Sequence, residues 1–529
     1  MKYLFLIPTI LLFNICIAQS LSISKQIANG GLSSDDGVSM GELDNGNIVI
    51  CAHSWSGISG DKTEIAYGKT DYWIYEIQPN GTIVWQKTIG GTGYDTPSSM
   101  IQTMDEGFLI VGNSNSPISG NKTSANFGGY DVWVVKISAT GNLEWQKSYG
   151  GVQGDFGMNL LEVSSNKIII AATSSSVIGG NKTVAPKGGS DYWIIHIDQQ
   201  GTIVNQYVYG GASDDAVQGI GIWNNQLIFS GSSYSDNSGD KLENSYGSAD
   251  YWIIKTDLNG VIIHSKTIGG DNYESNPSLG VNPDGSITLY GFSRSPISGI
   301  KTSSNYGLDD LWVVKLDNNL NYIWDTSLGG SNQEDGGVSG ISFSSYNNAN
   351  IVLGTSKSSA SGNKLSDSFG EEDYWIVGLD TNGNKKFEFE AGGLAQERSS
   401  MIIESSRGTI FVLGKSFSDI SGNKTLASAG SADVWLIELD FNLSVKTIRN
   451  NLKLDVFPVP SSTYLNFSIP MKGVTSNISL INIMGSVVLS KTNTNGESES
   501  IDVSNLPKGT YILKVVSPSF HYWNTVIIN

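Results

Sequence analysis

Seven carboxylates stand four residues after seven Gly-Gly pairs: Asp35, Asp95, Asp155, Asp215, Glu274, Glu334 and Glu397. Gathered at the mouth of a channel, they would form a carboxylate ring able to hold Ca2+, a hard cation that takes oxygen ligands. That is the one cofactor the sequence suggests. The other reading is that each acid ties down its own loop through backbone N–H groups or a nearby lysine. Seven equal copies suit a scaffold role, whereas a site normally needs asymmetry. A second set has the same sevenfold order. Lys is followed nine residues later by Asp and two residues after that by Trp, as Lys62/Asp71/Trp73, Lys122/Asp131/Trp133, Lys182/Asp191/Trp193, Lys241/Asp250/Trp252, Lys301/Asp310/Trp312, Lys364/Asp373/Trp375 and Lys424/Asp433/Trp435. As an exposed pair, each Lys and Asp would contribute only ~0–1 kcal/mol, so it would shape its loop more than hold the fold. A Ser-x-Ser completes the pattern, starting at Ser54, Ser114, Ser174, Ser233, Ser293, Ser356 and Ser416.

Specificity is expected where the copies differ. Between the paired serines stand Trp55, Asn115, Ser175, Tyr234, Arg294, Lys357 and Phe417. Before a glycine that recurs six residues after each Lys stand Tyr67, Phe127, Lys187, Tyr246, Tyr306, Phe369 and Ala429. Aromatic side chains exposed on a polar rim suit contact with a sugar or a peptide. The expected ligand-binding set is therefore Trp55, Tyr234, Arg294, Phe417, Tyr67, Phe127, Tyr246 and Tyr306. The plainer alternative is that these rings pack their own loops.

No catalytic constellation stands out. The four histidines, His53, His196, His264 and His521, show no metal-ligand clustering. No Ser or Cys has a nucleophile context, and no carboxylate pair for glycoside cleavage can be singled out among so many acids. Asn121-Lys122-Thr123, Asn181-Lys182-Thr183 and Asn423-Lys424-Thr425 match the glycosylation sequon, but they belong to the repeat. The net charge of −18 and the count of four arginines argue against a nucleic-acid partner.

The elements that must position these side chains are strands. In the copy from Gly90 to Gly150, Ser98–Thr103, Phe108–Ser114, Asp131–Ile137 and Leu143–Tyr149 read as four strands. They are joined by a hairpin turn at Asp105-Glu106-Gly107, a loop of about 16 residues and a turn at Ala139-Thr140-Gly141. No segment keeps a 3.6-residue apolar period. Seven copies at a period of about 60 residues predict an all-β chain: a seven-bladed β-propeller of four-stranded antiparallel blades over 19–450, then a small β-sandwich over 451–529. An open solenoid is the alternative. The Trp of each copy should fill the gap between neighbouring sheets. A small residue late in strand two (Ala52, Gly112, Ala172, Gly231, Gly291, Gly354, Gly414) should permit close approach. One stretch more than the blades need could serve as a fourth strand, since Leu21–Asn29 precedes the first Gly-Gly pair and Asn442–Arg449 follows the last Trp; Leu21–Asn29 is expected to complete the last blade.

Residues 1–18 read as a secretory signal peptide, with Lys2 before an apolar core and Cys16-Ile17-Ala18 before the cleavage point. The apolar run is too short to span a bilayer, and no other is longer. The remaining cysteine, Cys51, sits in an apolar strand and is expected to be buried and inert.

The far end carries a different signature. Val456-Phe457-Pro458-Val459-Pro460, Ile481-Asn482-Ile483-Met484-Gly485 and the stretch from Asp502 to Val515 resemble the type A C-terminal sorting domain of the type IX secretion system, found in one group of Gram-negative bacteria. The matching positions include Pro458, Pro460, Gly485, Asp502, Leu506, Gly509, Tyr511 and Lys514. The family usually has Asn where Val459 stands. The resemblance implies passage through the outer membrane by that machinery and a place outside the cell or on its surface. The repeats are similar to an uncharacterised repeat of secreted proteins in those bacteria, which carries no activity across. More distantly, Asn80-Gly81-Thr82-Ile83-Val84-Trp85 looks like the tryptophan motif of quinoprotein dehydrogenases and the Asp-box of sialidases. The adjacent-cysteine site of the first is missing, and the arginine triad of the second is hard to build from four arginines. The leading expectation is a secreted module that binds a glycan, a peptide or an envelope partner. The others are a carbohydrate-active enzyme, hydrolase or lyase, using acids on the loop-rich face, and a purely structural surface protein.

Overall fold

The computed structural model describes residues 19–344, 348–443, 456–457, 459–468, 476–482, 487–493, 498–516 and 521–529. The signal peptide read at 1–18 lies outside them, as do Pro458, Gly485 and the boundary expected at 450. The chain divides into two compact bodies, Met1–Ser444 and Val445–Asn529.

The first body is a β-propeller. Five four-stranded antiparallel sheets follow one another along the chain from Asp35 to Leu328. Two further four-stranded sheets are joined by one parallel bridge, Ser339 to Met401. We number these sheets 1 to 7 in chain order. Sheet 7 takes its outer strand from the other end of the chain: Gln19–Asn29 pairs antiparallel with Asp433–Leu443. Sheet 7 and sheet 1 share one apolar cluster, in which Val434, Leu436 and Leu413 meet Met40, Ile50 and Trp73, so the ring closes.

The strand reading of the second copy is met at Phe108–Ser114, Asp131–Ile137 and Leu143–Tyr149. Its first strand starts three residues earlier than expected, at Asp95. Pro97 and a register shift between Pro97 and Ser99 break the alternation that would have revealed it.

The seven recurrent tryptophans are fully buried. Each packs on the preceding sheet: Trp133 lies tilted against Tyr72 with ring centroids 4.8 Å apart, and Trp252 against Tyr192 at 5.0 Å. The residue before each Trp and the small residue of the next sheet are matched in size. Tyr72, Tyr192, Tyr251 and Tyr374 face Gly112, Gly231, Gly291 and Gly414, where an added Cβ would collide with the phenol oxygen. Val132 and Val434 share clusters with Ala172 and Ala52 instead. The spare volume lets Tyr192 donate its hydroxyl to Trp252 O at 3.1 Å. Gly231→Ala should therefore destabilise by about 1–3 kcal/mol, the usual effect of overpacking. In a Tyr192→Val background, which copies the Val132/Ala172 pair, its effect should shrink, giving a coupling of about 1 kcal/mol in a double-mutant cycle of denaturant melts. Equal effects in both backgrounds would contradict the matching.

The second body is a sandwich of two sheets. One holds Val456–Phe457, Tyr464–Ser468 and Ser498–Asp502, and the other Val487–Asn493, Ser476–Asn482, Gly509–Val516 and His521–Ile528. Leu465, Phe467 and Ile501 of the first meet Ile478, Leu480, Leu513 and Val526 of the second.

Candidate binding face

At one end of every sheet, three polar residues lie side by side on neighbouring strands. In sheet 1 they are Asp35, Ser54 and Asp71, and in sheet 2 Asp95, Ser114 and Asp131. The same row recurs to Glu397, Ser416 and Asp433 in sheet 7. All these carboxylates are buried. Each strand-one acid accepts the N–H of its Gly-Gly pair, as Gly31 N to Asp35 Oδ2 at 2.7 Å and Gly270 N to Glu274 Oε2 at 2.7 Å. In sheets 1 to 4 it also accepts the second serine, as Ser56 Oγ at 2.7 Å. The acids therefore serve their own loops. Among the described residues no cluster of His, Cys, Asp and Glu is suited to hold a metal ion.

The Lys–Asp pairs differ from the surface reading. All seven lysines and all seven aspartates are buried. Lys62 Nζ donates to Ser54 Oγ at 2.9 Å and Ser56 O at 2.7 Å, while Asp71 Oδ2 accepts Tyr67 N at 2.8 Å. The ammonium sits over the buried indole, as Lys122 over Trp133 at 5.4 Å and Lys182 over Trp193 at 5.5 Å. A lysine stem can lie along apolar surface while its head finds acceptors, which is how a charge tolerates this depth. The sequence shows the spacing but not the depth, because the partners, serine oxygens of the loop and of neighbouring strands and, for Lys364, the buried Glu390, come together only in the fold.

Loop two-three of each sheet leans on the Gly-Gly turn before that sheet, so both loop sets share one face. Asn121 N donates to Gly90 O at 3.1 Å, Gly90 N donates to Asn121 Oδ1 at 2.8 Å, and Asn121 Nδ2 reaches Thr88 O at 2.8 Å. The sequon asparagines thus have a structural task. The loop glycines Gly60, Gly120, Gly180, Gly239, Gly299, Gly362 and Gly422 hold φ between 54° and 59°, with a Gly-Gly carbonyl where a Cβ would go.

The rings that precede Gly68, Gly128, Gly247 and Gly307 pack on the next sheet's loop. Tyr67 covers Gly120, Phe127 covers Gly180, Tyr246 covers Gly299 and Tyr306 covers Gly362. They staple neighbouring loops and still leave an exposed edge, except that Tyr67 is half-buried. The residues between the serines stand freer. Trp55 lies edge-on to His53 at 4.6 Å. Tyr234 donates its hydroxyl to Tyr273 Oη at 3.2 Å. Phe417 lies under Lys415 at 5.6 Å. Arg294 stacks on Tyr273 at 5.2 Å and pairs with Asp309.

Around sheets 5, 6, 7 and 1 the face departs from sevenfold order, at residues the motif pattern missed. Arg398 Nε donates to Glu372 Oε2 at 2.7 Å, and Lys357 pairs with the same carboxylate at 3.0 Å. Asp36 takes both His53 Nε2, at 2.7 Å, and Lys415. Burial alone would raise Glu372 and Asp36, but Arg398 and Lys357 hold the first, and the His53 hydrogen bond with Lys415 the second, below the usual carboxylate range. The signal lay in the doubled acids Asp309-Asp310 and Glu372-Asp373, which no other copy has.

On the second body, Asp502 Oδ1 accepts Ser504 N at 2.9 Å and Ser504 Oγ at 2.6 Å. Leu506 packs against the sandwich core, and Tyr511 donates to Pro507 O at 2.7 Å. Gly509 and Lys514 lie on the strand Gly509–Val516, and Pro460 follows Val459 in a cis peptide.

Residues 455–529 match the family described as the secretion system C-terminal sorting domain. That match identifies the C-terminal body: the protein is exported, is handled by the type IX secretion machinery, and resides outside the cell or at its surface. No curated protein matches the chain. Among solved structures it is similar to the hydrazine synthase of Kuenenia stuttgartiensis, at 12% identity and a TM-score of 0.42, covering 71% of this chain and 92% of that one. It is also similar to a europium-containing methanol dehydrogenase, at 9% identity and a TM-score of 0.36, covering 79% and 93%. A puromycin hydrolase shows 10% identity and a TM-score of 0.42, covering 82% and 58%. Likenesses this distant carry no activity to the present chain. Among the described residues no helix is long and apolar enough to cross a membrane.

Proposed function

We propose that residues 19–450 form an extracellular binding module whose loop-rich face engages a polysaccharide, with 1–18 as signal peptide and 451–529 as the export domain. One observation carries this reading. The chemistry repeated seven times is buried and spent on the loops, while the side chains that differ between copies are the ones left partly exposed above them. Trp55, Tyr234, Phe417 and Arg294 offer flat apolar rings and hydrogen-bond donors on a rigid frame, the mixture that suits a sugar chain. A cleavage reading would need a freely accessible acid pair on this face. The sevenfold acids are instead hydrogen-bonded within their own turns, which favours binding.

The test is a glycan array probed with the chain from Gln19 to Asn529. Binding to a defined set of glycans is expected, weakened about tenfold or more in a Trp55→Ala/Phe417→Ala variant whose melting temperature is unchanged. A silent array, or binding indifferent to both substitutions, would reject the reading.

A further inference from the structure

Two of the four arginines in this acidic chain, Arg294 and Arg398, stand on the same arc of the loop-rich face. Each is held from below by an acid found only in these copies. Asp309 and Glu372 occupy the position where other sheets have Thr70, Tyr130, Ser190, Ala249 and Ala432. The acids are sunk, with side chains 5% and 4% exposed, while the arginines above them are 50% and 54% exposed. At these two pairs solvent meets the cations rather than the acids beneath them, while the neighbouring Asp335 is itself exposed. Asp335 lies between the two pairs, feeling Asp309 on one side and Arg398 and Glu372 on the other. Lys357 shares Glu372, and Lys415 continues the arc beside Asp36 and His53.

The binding geometry leaves donors over. Both arginines use the Nε and Nη2 edge on their acid: Arg294 Nη2 lies 3.2 Å from Asp309 Oδ2, and Arg398 Nη2 lies 3.5 Å from Glu372 Oε1. The Nη1 side of each planar fork remains for a second acceptor, and a guanidinium matches a carboxylate or sulfate bidentately. Rings flank the arc at both ends: exposed Tyr234 and half-buried Tyr273 beside Arg294, and exposed Phe417 and Trp55 beside Lys415 and His53.

We infer that this arc binds an acidic polysaccharide, with Arg294 and Arg398 gripping its carboxylate or sulfate groups and the flanking rings stacking on its sugars. The inference rests on the reading of the face as polysaccharide-binding and names the class. A peptide is less suited, because among the described residues the loop backbones on this face bond to one another rather than standing open for a chain to extend. The charge of the rest of the protein repels a polyanion, so contact is confined to the arc.

Affinity electrophoresis of the chain from Gln19 to Asn529 tests this, with polygalacturonate, dextran sulfate, neutral dextran and poly-L-glutamate cast separately in the gel. Polygalacturonate or dextran sulfate should retard the protein, and neutral dextran should not. Arg294→Gln/Arg398→Gln should raise the apparent Kd about tenfold or more, and the Arg→Lys pair should recover part of it. If the Gln variant does not fold, the wild-type chain still decides the matter: retardation must fall steeply with added salt. Retardation unmoved by salt or by the Gln variant overturns the inference, and so does equal retardation by poly-L-glutamate. Retardation by neutral dextran alone overturns it too, while leaving the broader polysaccharide reading intact. Silence in every gel together with a silent glycan array removes both.

Discussion

A chain lacking residues 19–29 should melt many degrees below the intact protein. The strand Gln19–Asn29 pairs with Asp433–Leu443 from Gln19↔Leu443 to Asn29↔Val434. It does more than finish one sheet. Leu21 joins the cluster of Tyr374 and Ile376 from sheet 6, and Ile27 joins that of Met40, Ile48 and Ile50 from sheet 1. Lys25 pairs with Glu438 at 3.3 Å, and Gln26 exchanges hydrogen bonds with Asn423 O at 2.7 Å and Thr425 N at 3.0 Å. Deletion would unpair a long strand and open both flanking clusters. Each buried Leu or Ile contributes ~1.5–3 kcal/mol, so with the lost ladder the penalty is on the order of 5 kcal/mol, comparable to the whole stability of many domains. Differential scanning calorimetry of the two chains checks this, and a synthetic peptide of residues 19–29 should restore part of the loss. An unchanged melt would mean that this strand does not hold the ring.

Much of this architecture was legible because repetition makes each residue type a position in space. The Trp spacing gave the sheets, and the surplus strand candidate at Leu21–Asn29 gave the closure. Depth was not legible. Lys62 and Asp71 looked like a surface pair, since a sequence shows charges but not the Ser54 and Ser56 oxygens that receive the ammonium. Nor was the strand start at Asp95 legible, hidden by Pro97 and the bulge after it. The candidate face was half legible. Comparing copies at the Ser-x-Ser position brought out Trp55, Tyr234, Arg294 and Phe417. Asp309 and Glu372 show in the sequence only as doubled acids, Arg398 sits at a position with no motif, and only the fold brings sheets 6 and 7 together there.

The acids that seemed the best metal ligands turn out to share their burial with a second carboxylate. At each junction the strand-three aspartate faces the Gly-Gly pair of the next sheet, and so does that sheet's own acid. A Cβ placed on Gly150 would collide with Asp131 Oδ1 and lie 3.1 Å from Asp155 Oδ2. The glycine is required because two carboxylates occupy the space a side chain would take.

This arrangement should make the protein less stable as pH rises from about 4 to about 7. Burial pushes Asp131 up to about 7, and Asp191, Asp250 and Asp310 up to about 6, from 3.8 in an unfolded chain. The facing acids Asp155, Asp215, Glu274 and Glu334 add to the rise. Burial likewise lifts Glu390 to about 7. Within that window the folded chain binds more protons than the unfolded one, so raising the pH favours unfolding. The effect levels off once the folded groups have ionised. His196, lowered to about 4 by burial, works in the opposite direction over the same range, but it is one group against five. Below the window the sign reverses. Hydrogen bonds from Lys136 and Thr103 outweigh burial and hold Asp105 at about 2, and Ser303, Thr302 and Tyr322 do the same for Asp325. Their contribution is lost as pH falls from about 4 through about 2. Melting temperature should therefore peak near pH 4–5 and decline by several degrees, at roughly 1 °C per kcal/mol in a body of this size, on the way to pH 8. Asp131→Asn keeps an acceptor for Phe127 N but cannot ionise, so its profile should be flatter than wild type above about pH 5. A wild-type melting temperature that climbs between pH 5 and pH 8, or an Asp131→Asn profile parallel to it, would show that the facing carboxyls are not sharing protons in the folded ring.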